Sequence, residues 1–150
     1  RDKDAVSSSM LIAEMAAYYK SQGMTLIDAL NGIYAKYGYY YDCLETLVLK
    51  GKAGAEKIRA AMSALRAEGG GLFDDIEHVS DYLTGIDDLP RENVLRFEFN
   101  DGSWAAVRPS GTEPKLKLYF SVRGEDRRSA GQRQKAIRNA LFVVIDKIKV

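Results

Sequence analysis

The chain has 150 residues, 46% hydrophobic and 29% charged, a balance that can bury one core and excludes a disordered or fibrous chain. No stretch approaches the roughly 18 uninterrupted apolar residues of a membrane span, and no secretory signal opens the chain. One cysteine, Cys43, excludes an internal disulfide and a cysteine-based zinc site, so a reducing cytoplasm is the expected setting. The net charge of +1 is a sum of unlike parts: −1 over residues 1–50, −4 over 51–100 and +6 over 101–150. A basic last third points either to a phosphate-bearing partner or to a solvated helix face.

In chain order, two helices come first. Asp4 is placed to cap one, and Val6, Met10, Ala13 and Ala17 recur at helical spacing before Gly23, with Leu11, Met15 and Tyr18 widening the apolar face. Thr25 and Asp28 have the spacing of a capping box, after which Leu26, Leu30, Ile33, Tyr34 and Tyr37 form a stripe that Gly38 stops. Tyr39, Tyr40 and Tyr41 follow, and seven of the nine tyrosines fall within residues 18–41. They read as half-buried packing aromatics or as a stacking platform.

Leu44 to Leu49 predicts a short strand ending at Gly51, a boundary between two units. A third helix is expected from Gly54 to about Glu68, with Ile58, Ala61, Met62 and Leu65 on one face, and Gly69, Gly70 and Gly71 break it as a flexible turn. Strands are expected over Ile76 to Leu83 and through the alternation of Leu95, Phe97 and Phe99. Asn100, Asp101 and Gly102 make a hairpin turn into Ser103 to Arg108. A further strand turns Leu116, Leu118, Phe120 and Val122 inward and Lys115, Lys117 and Tyr119 outward. The last helix carries Ile137, Ala140, Leu141, Val144, Ile145 and Ile148 at steps of three and four, with Arg133, Lys135, Arg138 and Lys147 on its other face. The pattern predicts an α+β domain of about four antiparallel strands and two helices over residues 43–150, preceded by a helical segment, 1–42, that needs another surface to pack on.

The segment joining the last two strands, Arg108-Pro109-Ser110-Gly111-Thr112-Glu113-Pro114-Lys115, suits an anion at each position. Arg108 brings a planar fork of donors that matches two phosphate oxygens. Ser110 and Thr112 bring hydroxyls on either side of Gly111, which lets the backbone curl so that successive N–H groups converge. Pro109 and Pro114 stiffen the loop and lower the entropy cost of holding it ready. From these residues alone, a tight polar hairpin loop stands beside the phosphate reading, because Ser-Gly-Thr is common in turns.

The run Arg108 to Tyr119, RPSGTEPKLKLY, resembles the phosphate-binding loop of the last domain of the α-D-phosphohexomutases, in their bacterial phosphoglucomutase/phosphomannomutase type. Asp2-Lys3-Asp4-Ala5 is similar to the end of that family's third domain. Lys50-Gly51 and the Gly54 helix with Met62, Leu65 and Arg66 are similar to the start of its fourth. The resemblance implies a TATA-box-binding-protein-like fold for residues 43–150 and an enzyme that interconverts hexose 1-phosphate and 6-phosphate through a phosphoserine and a bisphosphate, with Mg2+. Carried onto this chain, it implies that Arg108, Ser110, Gly111 and Thr112 hold the non-reacting phosphate, with Lys117 added for its side of the strand. The partners it implies are glucose 1-phosphate, glucose 6-phosphate or the bisphosphate, and domains one to three of the same enzyme, with no membrane and no nucleic acid. The family's serine and metal loops have no counterpart in this sequence. Ser7, Ser8 and Ser9 lack the flanking His and Asn, and Asp2 and Asp4 are a helix-start charge pattern rather than a magnesium site. The expectation is therefore a C-terminal piece that binds sugar phosphate weakly and does not catalyse by itself.

Two rival readings follow from the residues. A nucleic-acid module would use the basic last helix and Tyr119, and an interaction domain would dock through the tyrosine-rich helices. His78, amid Asp74, Asp75, Glu77 and Asp81, reads as part of a solvated face, and Cys43 as a small unpartnered thiol.

Overall fold

In the computed structural model, which describes residues 4–86 and 88–149, the chain divides into two units that meet between Tyr39 and Tyr40. The first holds α1 (Ala5–Ser21) and α2 (Leu26–Tyr37). The Asp4 carboxylate accepts the Val6 and Ser7 N–H groups at 3.1 and 3.0 Å, capping α1, and the Thr25–Asp28 capping box opens α2. Met15 and Tyr19 face Leu26, Ala29, Leu30 and Ile33 around a small cavity of about 170 Å³. Neither helix has a buried residue, and Met10, Leu11, Ile12, Ile27 and Ile33 remain exposed.

The second unit is a five-stranded sheet with two long helices. Its elements are β1 (Tyr39–Val48), α3 (Gly51–Glu68), β2 (Ile76–Asp81), β3 (Leu95–Phe99), β4 (Trp104–Pro109), β5 (Lys115–Gly124) and α4 (Arg127–Lys147). The strand order is β1-β5-β4-β3-β2, and β2 through β5 pair antiparallel in sequence. Because β1 and β2 lie at opposite edges, α3 must cross the sheet between them. Sheet residues Leu95, Phe97, Phe99, Val107, Leu116, Leu118, Phe120 and Val122 meet Ile58, Met62 and Leu65 of α3 and Ile137, Leu141 and Ile145 of α4 in one core. Alternation along β3 and β5 therefore buries one sheet face under the helices and turns the other outward.

The fold class is the α+β expected, with four differences of detail. There are five strands rather than about four, and β1 begins at Tyr39, five residues before the predicted Leu44. The three tyrosines are good strand formers, and the alternation they start continues to Val48 with every second residue half-buried. Helix α3 starts at Gly51 rather than Gly54. The triple glycine forms an ordered 3-10 turn, Gly69–Leu72, with Gly70 seated against Ile76 and Val79.

Charged contacts stitch the edges. Glu45 of β1 accepts from Arg138 of α4 at 2.6 Å, Asp81 of β2 from Arg66 of α3 at 2.9 Å, and Arg133 of α4 reaches both Asp75 and Asp101. Burial alone would raise the Asp101 carboxyl, but the Ser103 N–H and hydroxyl together with the Arg133 guanidinium outweigh it and hold the group below its ordinary 3.8. A carboxyl depressed on folding adds stability that is complete above its unfolded value and is lost as pH falls through the lower folded value. Wild type is therefore expected to have a higher urea midpoint than Asp101→Asn at neutral pH. The difference should shrink as pH falls below the ordinary carboxylate range and the folded-state carboxyl takes up its proton. A difference that stayed constant with pH would refute the assignment.

Candidate functional site

The β4–β5 connection is the only one between neighbouring central strands that carries several unengaged donors among the described residues. Its base is closed by the Ser110 N–H donating to the Lys115 carbonyl at 2.8 Å and the Lys115 N–H donating to Glu113 at 2.7 Å. The Glu113 carboxylate is held by Lys115 at 2.9 Å. Among the described residues, the N–H groups of Gly111, Thr112 and Glu113 donate to no backbone carbonyl. All three residues are exposed. Consecutive free N–H groups on a curled backbone form a concave donor set that suits an anion.

A second anchor comes from the end of β1. The Leu49 N–H donates to the Pro114 carbonyl at 2.9 Å, tying the loop to the turn that leads into α3. This turn packs so closely on α3 that a Cβ at Gly54 would lie 2.5 Å from the Leu49 carbonyl carbon and 2.9 Å from its Cβ. Only glycine permits that approach. Gly54 and Leu49 thereby set where the loop's C-terminal end sits.

The five residues singled out from sequence fall on two sides of this loop. Ser110, Gly111 and Thr112 line a groove of about 540 Å³ between the loop and α3, together with Gly51, Lys52, Ala55, Ile58, Arg59, Pro109, Glu113 and Pro114. Arg108 and Lys117 stand directly opposite each other across β4 and β5, and both point to the outward face of the sheet. Like charges directly opposed across strands repel, and among the described residues neither forms an ion pair. An anion bound at this end of the sheet would relieve that repulsion.

Lys52 and Arg59 carry no mark in the sequence that distinguishes them from other surface cations. Their helical spacing puts them on one face with Ala55, but only the strand order brings that face to the loop. Two basic residues of α4 have other work. Arg133 and Arg138 are bound to carboxylates and lie over the Phe99 and Phe142 rings at 4.8 and 4.1 Å.

The remaining candidates are structural. The Ser7 hydroxyl donates to the Asp4 carboxylate, and the Ser8 and Ser9 hydroxyls donate to carbonyls of the preceding turn. His78 is exposed on β2 in register with Glu98. Burial pushes the half-buried Cys43 thiol up, and the Glu45 and Asp42 charges push it further, away from reactive thiolate. Among the described residues no three His, Cys, Asp or Glu side chains converge on a metal site. The described part of this chain thus offers no fitting ligand set for the magnesium that the resemblance implies, and Asp2 lies outside it. No helix among the described residues is long and apolar enough to cross a membrane.

A helix-backed sheet with a basic, donor-rich loop between its central strands defines an α+β domain suited to holding an anion. The chain belongs to the phosphoglucomutase/phosphomannomutase family: residues 6–140 match that family's C-terminal domain. It is 36% identical to a phosphoglucomutase of Staphylococcus saprophyticus over 84% of this chain and 25% of the relative. It is 41% identical to a phosphoglucomutase of Staphylococcus aureus over 82% of this chain and 24% of that relative. The fold resembles the crystal structure of the open form of pp63/parafusin, a phosphoglucomutase from Paramecium, with a TM-score of 0.56 and 18% identity over 79% of this chain and 23% of that one. The chain spans about a quarter of the length of the relatives it matches.

Proposed function

We propose that this chain is the substrate-phosphate-binding part of a phosphoglucomutase that interconverts hexose 1-phosphate and hexose 6-phosphate. The single observation that carries the reading is the Ser110–Pro114 loop, where, among the described residues, three N–H groups donate to no backbone carbonyl beside Arg108 and Lys117, which form no ion pair. Phosphoryl transfer needs chiefly positioning and charge neutralisation, and these groups supply both for the phosphate that does not react. In this reading the Arg108 guanidinium grips two phosphate oxygens, Lys117 adds a point charge, and the Gly111, Thr112 and Glu113 N–H groups fix orientation. The Ser110 and Thr112 hydroxyls complete the donor set. The serine that carries the phosphoryl group, the magnesium ligands and the groups that grip the sugar hydroxyls belong to the other domains of the enzyme. The chain alone therefore binds without catalysing. The free Cys43 suits a cytoplasmic setting.

The geometry speaks against a nucleic-acid track. Tyr119 points to the outward face of the sheet, whereas α4 packs on the other face with two of its arginines bound to carboxylates.

Titrating the chain with glucose 1-phosphate is expected to shift the amide resonances of Arg108 and of residues 110–113 with a dissociation constant of about 1 mM, equivalent to about 4 kcal/mol, since most contacts of a complete site are missing. Shifts confined to other residues at high ligand concentration would refute the reading. Tighter, steeply salt-dependent binding to a short RNA would replace it with the polyanion alternative.

A further inference from the structure

The groove beside the loop has a second wall, and that wall is cationic. Lys52 and Arg59 lie seven positions apart on α3, with Ala55 between them leaving the space open. Both are exposed, and among the described residues neither forms an ion pair, whereas Arg66 of the same helix is bound to Asp81. The groove's one carboxylate, Glu113, is neutralised by Lys115. Across about 540 Å³ these two cations therefore face Ser110, Gly111 and Thr112, whose side adds hydroxyls and free N–H groups but no positive side chain.

We propose that Lys52 and Arg59 are further phosphate-contacting residues, closing on the α3 side the cation set that Arg108 and Lys117 supply on the sheet side. This rests on the reading of the loop as a phosphate site and adds a direction to it: the phosphate-bearing end of a sugar phosphate enters between the loop and α3. Two further cations around one group favour a dianionic phosphate ester over a neutral sugar. Exposed side chains gain little from each other in water, but each gains more against a multiply charged ligand.

The test is calorimetric or NMR titration of the chain with glucose 1-phosphate and, separately, with inorganic phosphate at low and high salt. The double variant Lys52→Gln/Arg59→Gln is expected to bind both probes about tenfold more weakly at low salt and to show a shallower salt dependence than wild type. Lys52→Arg/Arg59→Lys should recover most of the affinity, and Lys57→Gln, on the same helix but outside the groove, should bind like wild type. If the double variant binds like wild type while Arg108→Ala binds weakly, the inference is overturned and the phosphate reading stands. If affinity for glucose 1-phosphate falls but affinity for inorganic phosphate does not, the pair touches sugar rather than phosphate, and the proposal is also overturned. If neither the double variant nor Arg108→Ala changes binding, both the inference and the reading fail.

Discussion

Arg108→Ala is expected to weaken binding of glucose 1-phosphate by ten- to a hundredfold, the loss of about 1.5–3 kcal/mol that accompanies removal of a charge-assisted hydrogen-bonding group. Arg108 is exposed at the end of β4, so its truncation leaves no cavity. It also removes one member of a repelling cross-strand pair with Lys117. The unliganded variant should therefore unfold at the same urea concentration as wild type, or slightly higher. The two measurements together separate a binding role from a structural one. A variant that bound normally, or that lost binding only because it unfolded, would remove Arg108 from the site.

Gly54→Ala is expected to cost about 1–3 kcal/mol of stability, the usual penalty for overpacking a close contact. The added methyl meets the Leu49 carbonyl and Cβ rather than the far end of a flexible side chain, so relief requires moving backbone. Moving Leu49 strains its hydrogen bond to Pro114 and shifts the C-terminal end of the loop. The urea midpoint should fall. In the folded variant the amides of residues 110–113 and of Lys115 should shift while those of β2 and β3, far across the sheet, stay in place. Affinity for glucose 1-phosphate should fall with them. Leu49→Pro, which deletes only the N–H donor among backbone groups, should shift the same loop amides. Unmoved loop amides in both variants would show that the end of β1 does not position the loop.

The periodic elements were legible in the sequence because each is a local pattern. The alternation of Leu116, Leu118, Phe120 and Val122 admits one buried face of a strand, and the steps from Ile137 to Ile145 admit one buried face of a helix. Caps were legible for the same reason: Asp4, Thr25 and Asp28 act within three residues of their partners. The start of β1 was less so, because three successive tyrosines have no alternation of polarity, and only pairing at the sheet edge extends the strand through them. The triple glycine has no local reason to be ordered. Its conformation comes from its place between α3 and β2, against Ile76 and Val79.

The loop from Arg108 to Lys115 was legible as a set of donors, since arginine, hydroxyls and glycine within a few residues are themselves the chemistry. What no reading of those residues contains is the direction from which each acts. Strand register sets Arg108 against Lys117 on one side, and the strand order β1-β5-β4-β3-β2 lays α3 along the other. By itself, then, the amino-acid sequence determined most of the elements, the α+β class and the donor-rich make-up of one loop, all of which follow from side chains close together in the chain. Tertiary structure alone decided that Lys52 and Arg59 face that loop, that Gly54 and Leu49 hold it, and that Arg133 and Arg138 of α4 are spent on carboxylates. These are meetings of residues up to 93 positions apart, as between Glu45 and Arg138, and the packing of helices on a sheet is what selects them.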